Sequence, residues 1–175
     1  MATQVDANDS DALVHPATLH LTVLVLRLRS PDDIEKWEQV VKGLKLRRPK
    51  LNIRGVGIFP VKPNTNYTRV LYAKVDGAEE LVDDLVTKAI QKELISEKDL
   101  SNIVFDKRLD SYRMEQPHLT LLKTKGKDII DASDYLKKLG KLNFGKTGVS
   151  RVAMSAIGSF DGEQYYDEFS VSAAK

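Results

Sequence analysis

The chain has no cysteine. That excludes disulfides and thiolate metal sites, and it fits a reducing compartment. Histidine is scarce: there are three, none in an HxxxH or HxxEH spacing, so neither a metal centre nor a cofactor is expected. Long hydrophobic runs are missing too. The longest, Leu19 to Leu26, contains His20 and Thr22 and is far too short to span a bilayer. Met1 to Val14 lacks basic residues and carries Asp6, Asp9 and Asp11 instead. It is therefore neither a signal peptide nor a basic transit peptide, and residues 1–17 are expected to be flexible. A formal net charge of +2 makes no compositional case for nucleic-acid binding. With 42% hydrophobic and 30% charged residues over 175 positions, the composition is that of an ordinary globular chain with enough length for a core.

Against this plain background one pattern stands out. His-Leu-Thr occurs twice, as His20-Leu21-Thr22 and as His118-Leu119-Thr120, each time opening an apolar run. On a strand, residues i and i+2 share a face. Each copy would then present an imidazole beside a hydroxyl. Two such pairs facing one another would make a two-histidine acid/base site with two hydroxyls to hold a phosphate.

The rest of the chain reads as alternating strands and helices. Leu19 to Arg29 is expected to be a largely buried strand. Ser30 caps a helix with Pro31 at its first position and Asp32 and Asp33 in its first turn. Ile34, Trp37, Val40, Val41 and Leu44 form its apolar stripe. Leu51 to Phe59 and Thr68 to Val75 read as a hairpin with a long connection. Ala78 to Leu94 is the strongest helix, Pro117 to Thr124 the second histidine strand, and Asp131 to Leu139 a short helix. Val149 to Ala156 and Tyr165 to Ala173 read as a closing hairpin turned near Asp161-Gly162. Ser96 to Gln116 is polar and resists assignment. The order is a rough internal duplication with one histidine motif leading each half. It predicts an α+β fold in which two antiparallel sheets face a central cleft, helices outside, with lobes at about 18–95 and 96–175.

At this point the residues resemble a known family. The paired motifs are similar to those of the two-histidine (2H) phosphoesterase superfamily, whose signature is two His-x-Thr/Ser-x motifs with hydrophobic neighbours. The resemblance is strongest to the nuclear-localisation-signal domain of the A-kinase-anchoring-protein type, and to the phosphodiesterase domain of activating signal cointegrator complex subunit 1. It is carried by LHLTVLVLRL, IRGVGIFP, VLYAKVDGAEELVDDLV and MEQPHLTLLKT, followed by DASDYLKKL and Phe144-Gly145. Coverage runs from about Leu19 to the end. It implies a two-lobed, LigT-like fold. Family members usually carry a further strand and helix before the first motif. Here that place holds a short polar segment, so the first lobe is expected to expose a sheet edge or part of its core.

Cleaving an RNA phosphodiester without metal needs a base for the attacking hydroxyl, an acid for the leaving oxygen, and donors for the phosphate charge. Histidine suits the first two roles because its ordinary pKa lies near neutral pH. His20 and His118 are the catalytic candidates, one as base and one as acid. Thr22 and Thr120 are the phosphate-binding candidates. The blander alternatives are histidines bonded to neighbouring backbone and threonines present for strand preference. His15 reads as solvent-exposed. The run Lys45 to Lys50 reads as a solvated helix end before it reads as a nucleic-acid contact. Strand alternation puts Lys123 on the face away from His118. Phe59, Tyr72, Tyr112 and Tyr165 are candidates to stack on a base. Leu121 follows the second threonine where related domains can carry an aromatic.

The resemblance implies a metal-independent phosphodiesterase acting on RNA, 2′,5′-linked oligoadenylate or cyclic phosphates. The alternative is a mononucleotide (AMP) binding module without turnover, or an anchoring scaffold. Protein kinase A anchoring is not expected, since relatives that do this use an amphipathic helix that this chain does not display. A monomer with an RNA or nucleotide ligand, inside the cell and away from membranes, is the expectation.

Overall fold

The structure is a computed structural model. It describes residues 12–24, 26, 28, 30–45, 48–94, 117–160 and 165–172, with side chains described up to residue 155. The elements are α1 (Pro31–Lys42), β1 (Lys50–Pro60), β2 (Tyr67–Asp76), α2 (Glu79–Gln91), β3 (His118–Lys123), β4 (Ile130–Asp131), α3 (Ser133–Leu139), β5 (Asn143–Gly148), β6 (Arg151–Phe160) and β7 (Tyr165–Ser172). No helix among the described residues is long and apolar enough to cross a membrane. The stretches 1–11 and 95–116, and the turn at Asp161-Gly162, lie outside the described residues.

The residues divide into two units, each drawn from three separate stretches of chain. The first combines residues 1–21, 52–76 and 118–146. Its sheet runs in the order β3-β2-β1-β5, with the two-residue β4 pairing β2. β1, β3 and β4 are all antiparallel to β2. Along β2 the alternation is regular: Leu71, Ala73 and Val75 are buried, whereas Lys74 and Asp76 are exposed. The buried face carries a core of Val56, Leu71, Leu122, Ile130 and Ala132, against which Tyr135, Leu136 and Leu139 of α3 pack. Two irregularities shape β1. At Gly55 the register slips between Ile53 and Val56. There the backbone takes φ +70°, which suits glycine, and its N–H donates to Leu142 O at 2.7 Å. At the far end Thr68, fully buried, accepts from Val70 N–H at 3.0 Å and lies 2.7 Å from Phe59 O. That hydroxyl fixes the end of β1 that carries Phe59.

The second unit holds α1, α2 and the β6-β7 hairpin. Ser30 Oγ accepts from Asp33 N–H at 3.2 Å, and Pro31 opens α1, as the sequence predicts. Trp37, Val40, Val41 and Leu44 then pack with Leu85 and Ala89 of α2. The run from Leu19 departs from expectation: its described residues, 19–24, 26 and 28, form no strand. Among them only Leu21 makes a ladder contact, an antiparallel bridge to Leu119. Val23, Leu24, Leu26 and Leu28 instead pack partly buried onto the helix core. The apolar run is satisfied by burial, and burial alone does not require a ladder. Two short strands escaped prediction. β4 is two residues long, and β5 is polar, mostly exposed and bears two glycines, so neither has an apolar period to read.

Candidate active site

The site is built on β3, at one end of the strand order of the first unit. The segment preceding the first motif lies along this strand. Leu13 bridges Leu122, Val14 N–H donates to Leu121 O at 3.0 Å, and Leu21 bridges Leu119. Between the two bridges the chain makes a 3-10 turn, Pro16–Thr18. His15 caps it, its Nδ1 accepting from Ala17 N–H at 3.3 Å, and the buried Thr18 hydroxyl donates back to His15 O at 2.8 Å. His15 is exposed and serves this turn.

The Leu21–Leu119 bridge sets the two motifs side by side and antiparallel. Residues flanking a cross-strand pair point to the opposite face from that pair. His20 and His118 therefore share the face opposite to Leu21 and Leu119. Diagonal neighbours on such a pair stand roughly 7–8 Å apart, which leaves room for a phosphate group between two imidazoles. His20 is exposed, and its Nδ1 lies 2.8 Å from Thr18 O. A carbonyl only accepts, so Nδ1 carries the hydrogen, and a neutral His20 presents its lone pair at Nε2.

His118 is half-buried and held among rings. Its imidazole meets Phe59 edge-on, centroids 5.1 Å apart at 79°, and Tyr72 at 5.0 Å. Phe59 and Tyr72 are themselves 4.7 Å apart. The register explains the trio. Gly57 of β1 lies opposite Tyr72, Phe59 follows two residues on, and Tyr72 in turn lies opposite Thr120. Gly57 is where the ring folds down: a Cβ there would come within 2.6 Å of Tyr72 Cζ. Phe59 and Tyr72 are among the residues the sequence offers for stacking; Gly57 is not, although a glycine inside a strand is a signal of close approach.

Between Leu71–Leu122 and Tyr72–Thr120 the ladder slips by one residue, so Leu121 has no partner on β2. This bulge changes the alternation of β3. Leu119 and Leu122 both pair with buried residues of β2, Ala73 and Leu71. His118, Thr120 and Lys123 pair with Lys74, Tyr72 and Val70. Lys123 therefore lies on the histidine face, contrary to the period-two reading, because the extra residue at Leu121 resets the parity. Lys74, directly opposite His118, is a second cation that the sequence reading did not single out.

Thr120 and both motif histidines fall in the first unit, and Thr22 opens the second, half-buried. Tyr112, and the side chain of Tyr165, lie outside the described residues.

An antiparallel sheet with one His-Leu-Thr motif on β3, bridged there by Leu21 of the other, in α+β surroundings, fits a two-histidine phosphoesterase of LigT-like fold. The chain belongs to the AKAP7 2'5' RNA ligase-like domain family, which matches residues 1–172. Among solved structures it is similar to TT0787 of Thermus thermophilus, at 25% identity and a TM-score of 0.60, covering 92% of this chain and 81% of that one. None of the curated proteins matches it. Membership of this family supports a phosphodiesterase-type activity in general.

Proposed function

We propose that this protein is a metal-independent phosphodiesterase acting on RNA or 2′,5′-linked oligoadenylate, with His20 and His118 as its acid/base pair. The observation that carries this reading is the Leu21–Leu119 bridge, which sets the two histidines on one face of neighbouring antiparallel stretches. In the reaction the ribose hydroxyl next to the phosphate attacks phosphorus, and one imidazole takes its proton. The bond from phosphorus to the leaving oxygen breaks, and the other imidazole protonates that oxygen, leaving a cyclic phosphate. The contact of His20 Nδ1 with Thr18 O makes Nε2 the atom that exchanges the proton, which supports His20 as one member of the pair, and His118 is the other. Thr120 donates to the non-bridging oxygens as charge develops.

The test is incubation of matched 2′,5′- and 3′,5′-linked oligoadenylates in EDTA, with products resolved by mass. Wild type should cleave. His20→Ala and His118→Ala should each lose a factor of about 10²–10⁴ in rate. DNA lacks the attacking hydroxyl and should resist. Full activity in the double His20→Ala, His118→Ala variant would end the proposal.

A second reading is an AMP-binding module without turnover. The exposed ring of Phe59 beside Tyr72 and His118 favours it, as a surface on which a base can stack. Tight AMP binding that needs both histidines, with no linkage cleaved, would select it.

A further inference from the structure

We infer that Lys123 binds the phosphate adjoining the scissile one, and so makes the site selective for oligonucleotides over single-phosphate substrates. This deepens the reading above and rests on it. The first ground is register. Straight alternation from His118 would turn Lys123 towards the α3 side of the sheet. The extra residue at Leu121, which has no partner on β2, turns it to the histidine face instead, where it pairs with Val70 two places along β2 from Tyr72. The second ground is reach. At about 3.3 Å per residue, Lys123 starts roughly 7–10 Å along the strand from Thr120. Its flexible stem carries the ammonium towards the next unit of a backbone lying over the motif.

The third ground is availability. Lys123 is exposed and makes no ion pair with a described residue. The backbone around it is fixed on both sides. Thr124 N–H donates to Arg69 O at 2.9 Å, and the Thr124 hydroxyl donates to Asp128 O at 2.6 Å, which closes the turn after β3. The strand end is thus held while the side chain remains open to solvent. Lys74 differs in position. It stands opposite His118 and so next to the reacting phosphate, which every substrate carries. Losing Lys74 should weaken all substrates alike, whereas losing Lys123 should weaken only those with a second phosphate.

The experiment compares wild type, Lys123→Ala, Lys123→Arg and Lys74→Ala on adenylyl-adenosine, with one phosphate, and on a tetra-adenylate with the same linkage. Both are assayed between 50 and 200 mM salt. Lys123→Ala should raise KM for the tetranucleotide by about threefold to tenfold at low salt and leave kcat unchanged. It should leave the KM for the dinucleotide untouched. The log–log salt slope for the tetranucleotide should flatten by about 0.7, the value for one phosphate contact on a single strand. Lys123→Arg should restore both. Equal effects on the two substrates, or none on either, would overturn the inference. If wild type cleaves neither, the phosphodiesterase reading falls. Anisotropy binding of the same two oligonucleotides with the attacking hydroxyl methylated, 2′-O-methyl for a 3′,5′ linkage and 3′-O-methyl for a 2′,5′ linkage, then decides the inference by itself. Preferential binding of the longer one that Lys123→Ala abolishes would support it, and equal binding by wild type and variant would overturn it.

Discussion

The ring of Tyr72 fills the space that a side chain at Gly57 would need. A Cβ at Gly57 would meet Tyr72 Cζ at 2.6 Å and its hydroxyl oxygen at 2.7 Å, both closer than real contacts allow. The same ring packs against His118 at 5.0 Å. Gly57→Ala should therefore push Tyr72 away and unseat the imidazole behind it. The expected cost is about 1–3 kcal/mol of stability from overpacking, with a fall in kcat larger than any change in KM. Pairing Gly57→Ala with Tyr72→Leu tests the route. Because the smaller side chain relieves the collision, the two changes should couple non-additively in denaturant titrations. Additive effects would show that Gly57 acts elsewhere.

Thr120 sits opposite Tyr72 on the histidine face, two residues beyond His118. Thr120→Val keeps the shape and removes the donor. If the hydroxyl stabilises charge on the phosphate as the bond breaks, kcat should fall by about 10²–10³ with little change in KM. Thr120→Ser should recover most of it. An unaltered kcat in the valine variant would return Thr120 to strand preference alone.

The second unit makes a separate prediction. Leu85 of α2 is 6% exposed and packs with Trp37, Val40 and Val41 of α1. Leu85→Ala should cost about 2–5 kcal/mol, through lost apolar burial and the cavity left behind. Urea unfolding would measure it, and the slope with denaturant should stay constant if the effect is on stability alone.

These effects differ in how far the chain announces them. The second motif was legible because His118 to Lys123 combines three leucines with the β-branched Thr120, with a proline just before it. The cap of α1 was legible because Ser30, Pro31 and two aspartates satisfy the same local demand. The side on which Lys123 emerges was not legible, since a bulge inserts one residue without changing composition. Nor was the state of Val23, Leu24, Leu26 and Leu28, because burial under helices and pairing in a sheet ask for the same leucines and valines. Gly57 left a trace in the sequence, but its meaning depends on Tyr72 lying opposite, which is a matter of register.

Acid sensitivity should be localised at the junction of α1 and α2. Asp84 is partly buried, which by itself opposes its ionisation. The hydrogen bond from Lys88, at 3.0 Å, the one from Lys45 N–H, at 3.2 Å, and the two lysine charges outweigh that burial. Together they hold the carboxyl below its ordinary value of 3.8. The folded state thus binds its proton less readily than the unfolded chain. The resulting stabilisation is complete above the unfolded value and disappears as pH falls through the folded one. Asp84→Asn should lower the urea midpoint at neutral pH and flatten the loss of stability below about pH 4. The curves of wild type and variant should then converge at the acid end. Parallel curves across the whole range would mean that Asp84 contributes through its shape and hydrogen bonds, with its charge adding nothing.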